Sequence, residues 1–301
     1  MPSTPDYEEQ VVNQMKPYIE RLRKEGISYQ LNFQNLLGAV HGGGDFTGKM
    51  DWEPIVDQKG NSALGVGCPI GKVFREKTAK RLSLWASTHP DVIWIDDDFR
   101  LNNHGSFALT KIKGQPYYDD YYCYCDNHIQ LFNERNNSSY DREGLVREIL
   151  KEGEPSEIRI KYLEFLKDTM IETASWISSV VHGVDKNIKI AQMTSFIESH
   201  ATENRDWKSF LTALCGEHKP IIRPHFGPYR ETNPKNFTHC YMALAKTMTA
   251  VSSYGEGVEF CPEIENTRFT TWTKSAKATA YQLGLSAFMG AKDTTLSIYD
   301  L

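Results

Sequence analysis

Apolar residues recur along this chain at two spacings, and the two alternate. Between Tyr7 and Lys24, Val11, Val12, Met15, Ile19 and Leu22 fall at helical spacing, and Gly26 stops the helix. Ile27 to Phe33 follows at once, alternating and rich in β-formers, which predicts a strand. The same order returns five times. Arg75 to Ser87 reads as a helix before the strand Val92 to Ile95, Ile158 to Val181 before Ile188 to Met193, and Trp207 to Cys215 before Pro220 to Arg223. Phe237 to Ser253 then precedes Val258 to Phe260, and Thr273 to Phe288 precedes Thr294 to Tyr299.

Short apolar strands alternating with amphipathic helices imply a parallel sheet, because parallel neighbours need a crossover between them. A shorter stretch, Ser62 to Val66, is read as a seventh strand. The expected fold is α/β, a (β/α)8 barrel of the TIM type whose first strand is missing or obscured. An open doubly wound sheet is the alternative, but no glycine-rich phosphate loop follows any strand. One barrel domain over residues 1–301 is the economical division, with residues 102–153 as its single long excursion after the Asp96 to Asp98 strand end.

Composition narrows the function classes. Of 301 residues, 40% are apolar and 24% charged, which fits a folded domain with one large core. A formal net charge of −5 argues against nucleic acid as partner, since phosphate binding needs clustered Lys and Arg. No apolar run is long enough to span a membrane, and Met1 to Gln10 lacks the basic start and apolar middle of a secretory signal. Cytoplasmic residence is therefore expected, and the sequons at Asn136, Asn137 and Asn236 carry little meaning.

The candidate chemistry sits where strands end, which in a barrel is the face that forms the pocket. Val92 to Ile95 runs into Asp96, Asp97 and Asp98; Val258 to Phe260 leads to Glu263 and Glu265; Pro220 to Ile222 leads to Arg223 and His225; Ile27 to Phe33 leads to Asn35. Three adjacent aspartates cannot all be desolvated cheaply, so at least one should face water, a cation or a metal, unless the triplet is only an acidic cap or loop. Glu263 and Glu265 alternate along an extended segment and point the same way, toward a reaction centre or toward a structural pairing with Arg268. Glycoside hydrolysis needs two carboxyls flanking the scissile bond, and these two strand ends supply them. Arg223 and His225 would orient the nucleophile or bind sugar hydroxyls, while Trp94, Trp272 and Tyr229 offer stacking walls, or core.

A second constellation is Cys123, Cys125 and His128, with Cys68 available as a fourth soft ligand for a structural zinc; the alternative is unrelated side chains in a Tyr-rich loop. Cys215, Cys240 and Cys261 read as small buried hydrophobes.

Two stretches resemble family 42 glycoside hydrolases, the barrel enzymes that include many bacterial β-galactosidases. One runs from Cys68-Pro69 through Phe74-Arg75-Glu76 to Val92-Ile93-Trp94-Ile95-Asp96-Asp97-Asp98-Phe99 and Cys123-Tyr124-Cys125; the other is Glu263-Ile264-Glu265-Asn266. The resemblance implies that Asp97 stands in the place of an Asn and Asp98 in that of the Glu acid/base, with Glu263 or Glu265 as nucleophile. It also implies that Cys68, Cys123, Cys125 and His128 occupy the places of a zinc-binding cysteine set. Asp for Glu shortens the proton donor by one methylene, which predicts weakened activity on the family's usual substrate.

The expected function is thus a retaining glycosidase acting on O-glycosidic bonds, with a carbohydrate as partner, no organic cofactor, and a homo-oligomer left open. Two other classes compete. A metal-dependent hydrolase would hold a catalytic ion with Asp96, Asp98, His225 and Glu263. A non-catalytic carbohydrate-binding barrel would bind sugar without turnover.

Overall fold

A computed structural model describes residues 5–33, 36–37, 51–97, 99–102, 122–194, 197–231, 233–252, 257–265 and 273–297. The chain opens with helix α1 (Pro5–Lys24), which ends at Gly26 with φ +70°, a conformation only glycine adopts without strain. Strand β1 (Gln30–Phe33) follows, then an antiparallel hairpin of β2 (Pro54–Val56) and β3 (Ser62–Gly67), helix α2 (Lys72–Ala86) and strand β4 (Val92–Ile95). Helices α3 (Asp126–Asn136), α4 (Arg142–Ile149) and α5 (Glu157–Val184) lead to β5 (Lys189–Thr194). The short α6 (Glu198–Ala201) and α7 (Trp207–Cys215) precede β6 (Ile221–Pro224), and α8 (Pro234–Ser252) precedes β7 (Glu259–Phe260) and β8 (Glu263–Glu265). Helix α9 (Ala276–Phe288) and β9 (Thr295–Ser297) complete the described chain.

Strands β1, β4, β5, β6 and β7 form a five-stranded sheet in that order, every pairing parallel. Beyond it β8 pairs with β9, also in parallel. Cys261 and Pro262 join β7 to β8, so one extended segment pairs first with β6 and then with β9. The alternating pattern placed the strands of this sheet and the helix before each of them to within a few residues, but β2 and the helices α3, α4 and α6 were not read from it. Ser62 to Val66 is a correction. Those residues pair antiparallel with β2 outside the parallel sheet, because a tight Asp57 to Asn61 turn folds them straight back, with Asn61 N–H donating to Asp57 Oδ1 at 2.7 Å. The hairpin ends at Gly67, where an added Cβ would lie 1.9 Å from the Phe74 ring, so α2 packs on bare backbone there.

Both faces of the sheet are covered, as parallel strands require. Ile93, Ile95, Ile190 and Ile222 face the main core with α2, α5 and α7. In α5, Ser156 accepts from Arg159 N–H at the N-terminus, and Tyr162, Phe165, Leu166, Met170, Ala174, Ile177 and Val181 are buried at helical spacing. The opposite face carries a second cluster of Val92, Trp94, Ala191, Met193, Ile221 and Cys261. Trp94 belongs to this cluster and donates from Nε1 to Gln30 Oε1 at 2.7 Å, so it is core rather than a sugar-stacking wall. Among the described residues no helix is long and apolar enough to cross a membrane.

Candidate functional site

Strand parity builds the site. Side chains alternate across a sheet, so residues two apart share a face. On β4, Val92 and Trp94 lie in the second cluster, and the next position in that series is Asp96. On β6, Ile221 leads to Arg223, which is in register with Met193 of β5. Along the segment after β7, Cys261 leads to Glu263 and Glu265. Polar residues thus replace the apolar ones on one face as the strands reach their C-terminal ends.

They meet there. Arg223 Nη1 donates to Glu263 Oε1 in a charged hydrogen bond and lies 4.0 Å from Glu265 Oε1. His225 Nδ1 donates to Glu263 Oε2 at 3.1 Å, and the Tyr229 hydroxyl donates to the same oxygen at 3.1 Å while standing 2.8 Å from His225 Nδ1. Glu263 is 6% exposed, whereas the Glu265 side chain is 28% exposed. Burial raises the Glu263 carboxyl, but the hydrogen bond from His225 and the charge of Arg223 outweigh it and hold the pKa at about 2. Asp96 is driven the other way: burial, then the charge of neighbouring Asp97, lift it above the usual carboxylate range, against the pull of Arg223. Lys274 sits beside Glu265, donating to its carbonyl oxygen at 2.9 Å, and burial lowers its ammonium to about 8.

The aspartate corner is a tight turn. Asp97 N–H donates to Asp96 Oδ1 at 2.7 Å and Phe99 N–H to the Asp96 carbonyl at 3.2 Å. Asp97 faces a cation, as crowded carboxylates should: Arg100 Nη1 lies 3.4 Å from its Oδ2. Of the residues singled out from sequence, Asp96, Asp97, Arg223, His225, Tyr229, Glu263 and Glu265 therefore share one end of the sheet. Tyr229 serves there as a donor to Glu263 rather than as a bare stacking wall. Asp98, Asn35 and Trp272 lie outside the described residues, as does Arg268.

Several residues that hold this corner escaped the sequence reading. Gln192, fully buried in β5, donates from Nε2 to the carbonyls of Asp96 at 3.2 Å and Ile95 at 3.4 Å. Glu203 and Arg205 pair beneath the turn, beside buried His200. A polar residue in mid-strand, Gln192 between Ala191 and Met193, was the only available signal; a Glu-Asn-Arg run after a short helix has no periodicity to betray burial.

The cysteine cluster forms a separate centre. Cys68 follows β3, Cys125 caps α3 and His128 lies in its first turn, and with Cys123 their ligand atoms all fall within 4.8 Å of one another, every one buried. Cys68 Sγ is 3.6 Å from Cys125 Sγ and 3.4 Å from His128 Nδ1, and Cys125 Sγ is 3.2 Å from the same nitrogen. Donors about 2.0 to 2.3 Å from a tetrahedral zinc stand roughly 3.3 to 3.8 Å apart, so the three separations among Cys68, Cys125 and His128 lie near that spacing and the three-thiol, one-imidazole chemistry suits the ion, while the full set spreads to 4.8 Å. The cluster ties the β2–β3 hairpin to α3, and the Tyr162 hydroxyl donates to the Cys123 carbonyl from α5. An open groove of about 840 Å³ between α3 and α4, lined by Asp126, Gln130, Glu134 and Asp141 among others, shares no residue with the strand-end cluster.

No family model and no curated protein matches this chain. Solved structures do match in fold. The catalytic domain of β-amylase from Paenibacillus polymyxa is 11% identical with a TM-score of 0.58, over 93% of this chain and 78% of that one. The β-galactosidase of the Antarctic haloarchaeon Halorubrum lacusprofundi is 12% identical with a TM-score of 0.60, over 95% of this chain and 45% of that one. The β-galactosidase of Bacillus circulans sp. alkalophilus is 16% identical with a TM-score of 0.59, over 94% and 42%. This chain spans less than half the length of those two β-galactosidases. The likeness is one of fold: the α/β architecture with a parallel sheet is shared with glycoside hydrolases, without singling out family 42.

Proposed function

We propose that the chain is the catalytic barrel of a glycoside hydrolase whose acid comes from the Asp96 to Asp98 corner and whose nucleophile is Glu263, with Glu265 beside it at the rim. One observation carries the reading. Arg223 is hydrogen-bonded to Glu263 and its charge is felt by Asp96, and the surroundings of these two carboxyls drive their proton affinities apart, Glu263 downward and Asp96 upward. Opposed pKa values in two carboxyls at one end of a sheet are the arrangement that separates an acid from a nucleophile.

An ionised Glu263 cannot give up a proton, so its role is attack at the anomeric carbon or stabilisation of developing positive charge. The leaving oxygen needs a proton, and a carboxyl made less acidic by burial and a like-charged neighbour is suited to hold one. Asp98, two positions after Asp96, remains the candidate acid/base, with Asp96 and Asp97 setting the charge around it. Arg223, His225 and Tyr229 orient the nucleophile, and Asn35 and Trp272 are proposed substrate contacts. Closure of the sheet into a (β/α)8 barrel belongs to the same proposal.

Zinc held by Cys68, Cys123, Cys125 and His128 is proposed as structural; when bound it supplies a cross-link between the β2–β3 hairpin and α3. Glu263 is crowded by cationic and hydroxyl donors, which disfavours it as ligand of a catalytic ion and sets the metal-dependent reading behind the glycosidase one.

The test is a panel of aryl glycosides with the wild type and with Asp98→Asn, Asp96→Asn, Glu263→Gln and Glu265→Gln, with the anomer of the first product read by NMR. Retention with loss of turnover in Asp98→Asn or Asp96→Asn, together with Glu263→Gln, is expected. Saturable sugar binding with no turnover of any glycoside would leave a binding barrel in its place.

A further inference from the structure

The turn that carries Asp96 and Asp97 is anchored from below by a buried ion pair that no part of the proposed chemistry uses. Glu203, fully buried, accepts from the Leu101 N–H at 2.9 Å through Oε2. Its Oε1 accepts from Arg205 Nε at 2.7 Å and from Nη2 of the same guanidinium. Arg205 Nη2 also donates to the Phe99 carbonyl at 2.7 Å. The guanidinium is packed on aromatic rings, 3.8 Å from the Phe210 centroid, 5.4 Å from Trp207 and 5.6 Å from Phe99. Two side chains that follow α6 thus grip the backbone two and four residues past Asp97, and Arg100, between those two grips, holds Asp97 itself.

Such a pair is a poor device for stability alone. Desolvating two charges costs about as much as their attraction returns, and apolar residues of similar volume commonly do as well or better. What it supplies that apolar residues cannot is directional: one acceptor for Leu101 N–H and one donor for Phe99 C=O, locked in place by aromatic packing.

We infer that Glu203 and Arg205 are positioning residues, which fix the Asp96–Asp97 turn at the distance and angle the site needs by clamping Phe99 and Leu101. The inference rests on the glycosidase reading of that turn. Neither residue is placed in contact with substrate, so the clamp acts on rate through geometry rather than on binding; an error of about 1 Å in such a site costs up to roughly a hundredfold.

The deciding variant is the double replacement Glu203→Met/Arg205→Met, which removes both charges together and leaves neither uncompensated. It is compared with Arg205→Lys, which keeps the charge but loses the fork that spans Glu203 and Phe99. Hydrogen–deuterium exchange over residues 96–102, thermal melting and aryl-glycoside kinetics are measured on each. The double variant is expected to melt within a few degrees of wild type, to exchange the Leu101 amide about tenfold faster for want of its acceptor, and to lose roughly ten- to a hundredfold in kcat with KM little changed. Unaltered exchange at residues 96–102 in the folded double variant would overturn the clamp. Faster exchange with unaltered kcat would overturn its positioning role. Should the double variant not fold, Arg205→Lys decides by the same two readouts. A wild type that turns over no glycoside sinks the glycosidase reading and, with it, the positioning role, while the exchange result still tells whether the clamp exists.

Discussion

Arg223 Nη1 is bonded to Oε1 of Glu263 in a setting where the carboxylate is almost wholly buried. The guanidinium is fixed in turn by its strand, β6, whose register against β5 brings it level with Met193 at the sheet's end. Removing the cation leaves a buried carboxylate that keeps its hydrogen bonds from His225 and Tyr229 but loses its guanidinium. Arg223→Met is expected to destabilise the fold by about 3 kcal/mol, as breaking a buried pair does, and to raise the pKa of Glu263. Denaturant unfolding and the acid limb of the pH–rate profile check both, and Arg223→Lys should recover part of each.

Tyr229→Phe removes one hydroxyl donor from Glu263 Oε2 and alters no charge. A hydrogen bond to an ionised group is worth about 1.5–3 kcal/mol, so a stability loss near the lower end is expected at neutral pH. The sign with pH follows from the depressed carboxyl. Glu263 contributes stability that is fully present above the unfolded value of 4.5 and lost as pH falls through about 2, so wild type and Tyr229→Phe should converge in acid. Equal offsets at pH 7 and pH 2 in urea titrations would contradict this.

His200 is fully buried beside Glu203 and Arg205, and burial first, then the charges of Arg205 and Arg100, lower its pKa to about 4 against the pull of Glu203. Between the ordinary 6.5 and about 4 the unfolded chain binds a proton that the folded chain refuses, so stability falls as pH falls through that window. The shift corresponds to about 3 kcal/mol. His200→Gln is expected to flatten the slope of unfolding free energy between pH 6.5 and 4, measured by chemical denaturation at several pH values.

Zinc is expected at one equivalent per chain by elemental analysis, bound by the thiol–imidazole cluster. Chelation should lower the melting temperature and loosen the β2–β3 hairpin from α3, and Cys68→Ser or Cys125→Ser should abolish stoichiometric binding. A fully folded, equally stable protein without the ion would remove the structural metal.

The repeating helix-then-strand pattern located the five strands of the parallel sheet and the helix before each, because crossover helices and buried parallel strands each leave a pattern in the chain. The strands β4, β6 and β7, which lead to or carry Asp96, Arg223 and Glu263, fell where the pattern put them. Sequence also grouped Cys68, Cys123, Cys125 and His128, since soft ligands are chemically conspicuous wherever they fall. What it left open was pairing. Ser62 to Val66 looked like one more parallel strand, and only the turn at Asp57 to Asn61 made it half of a hairpin. Glu263 could be read beside Arg223 or Arg268; strand register brings Arg223, forty positions away, onto it, and Arg268 lies outside the described residues. Glu203 and Arg205 gave no local sign of burial at all, because their burial comes from the aromatic rings that pack over Arg205 and from a turn a hundred residues earlier. Local spacing fixes which face a side chain occupies; only packing brings distant faces together and decides which charges compensate one another.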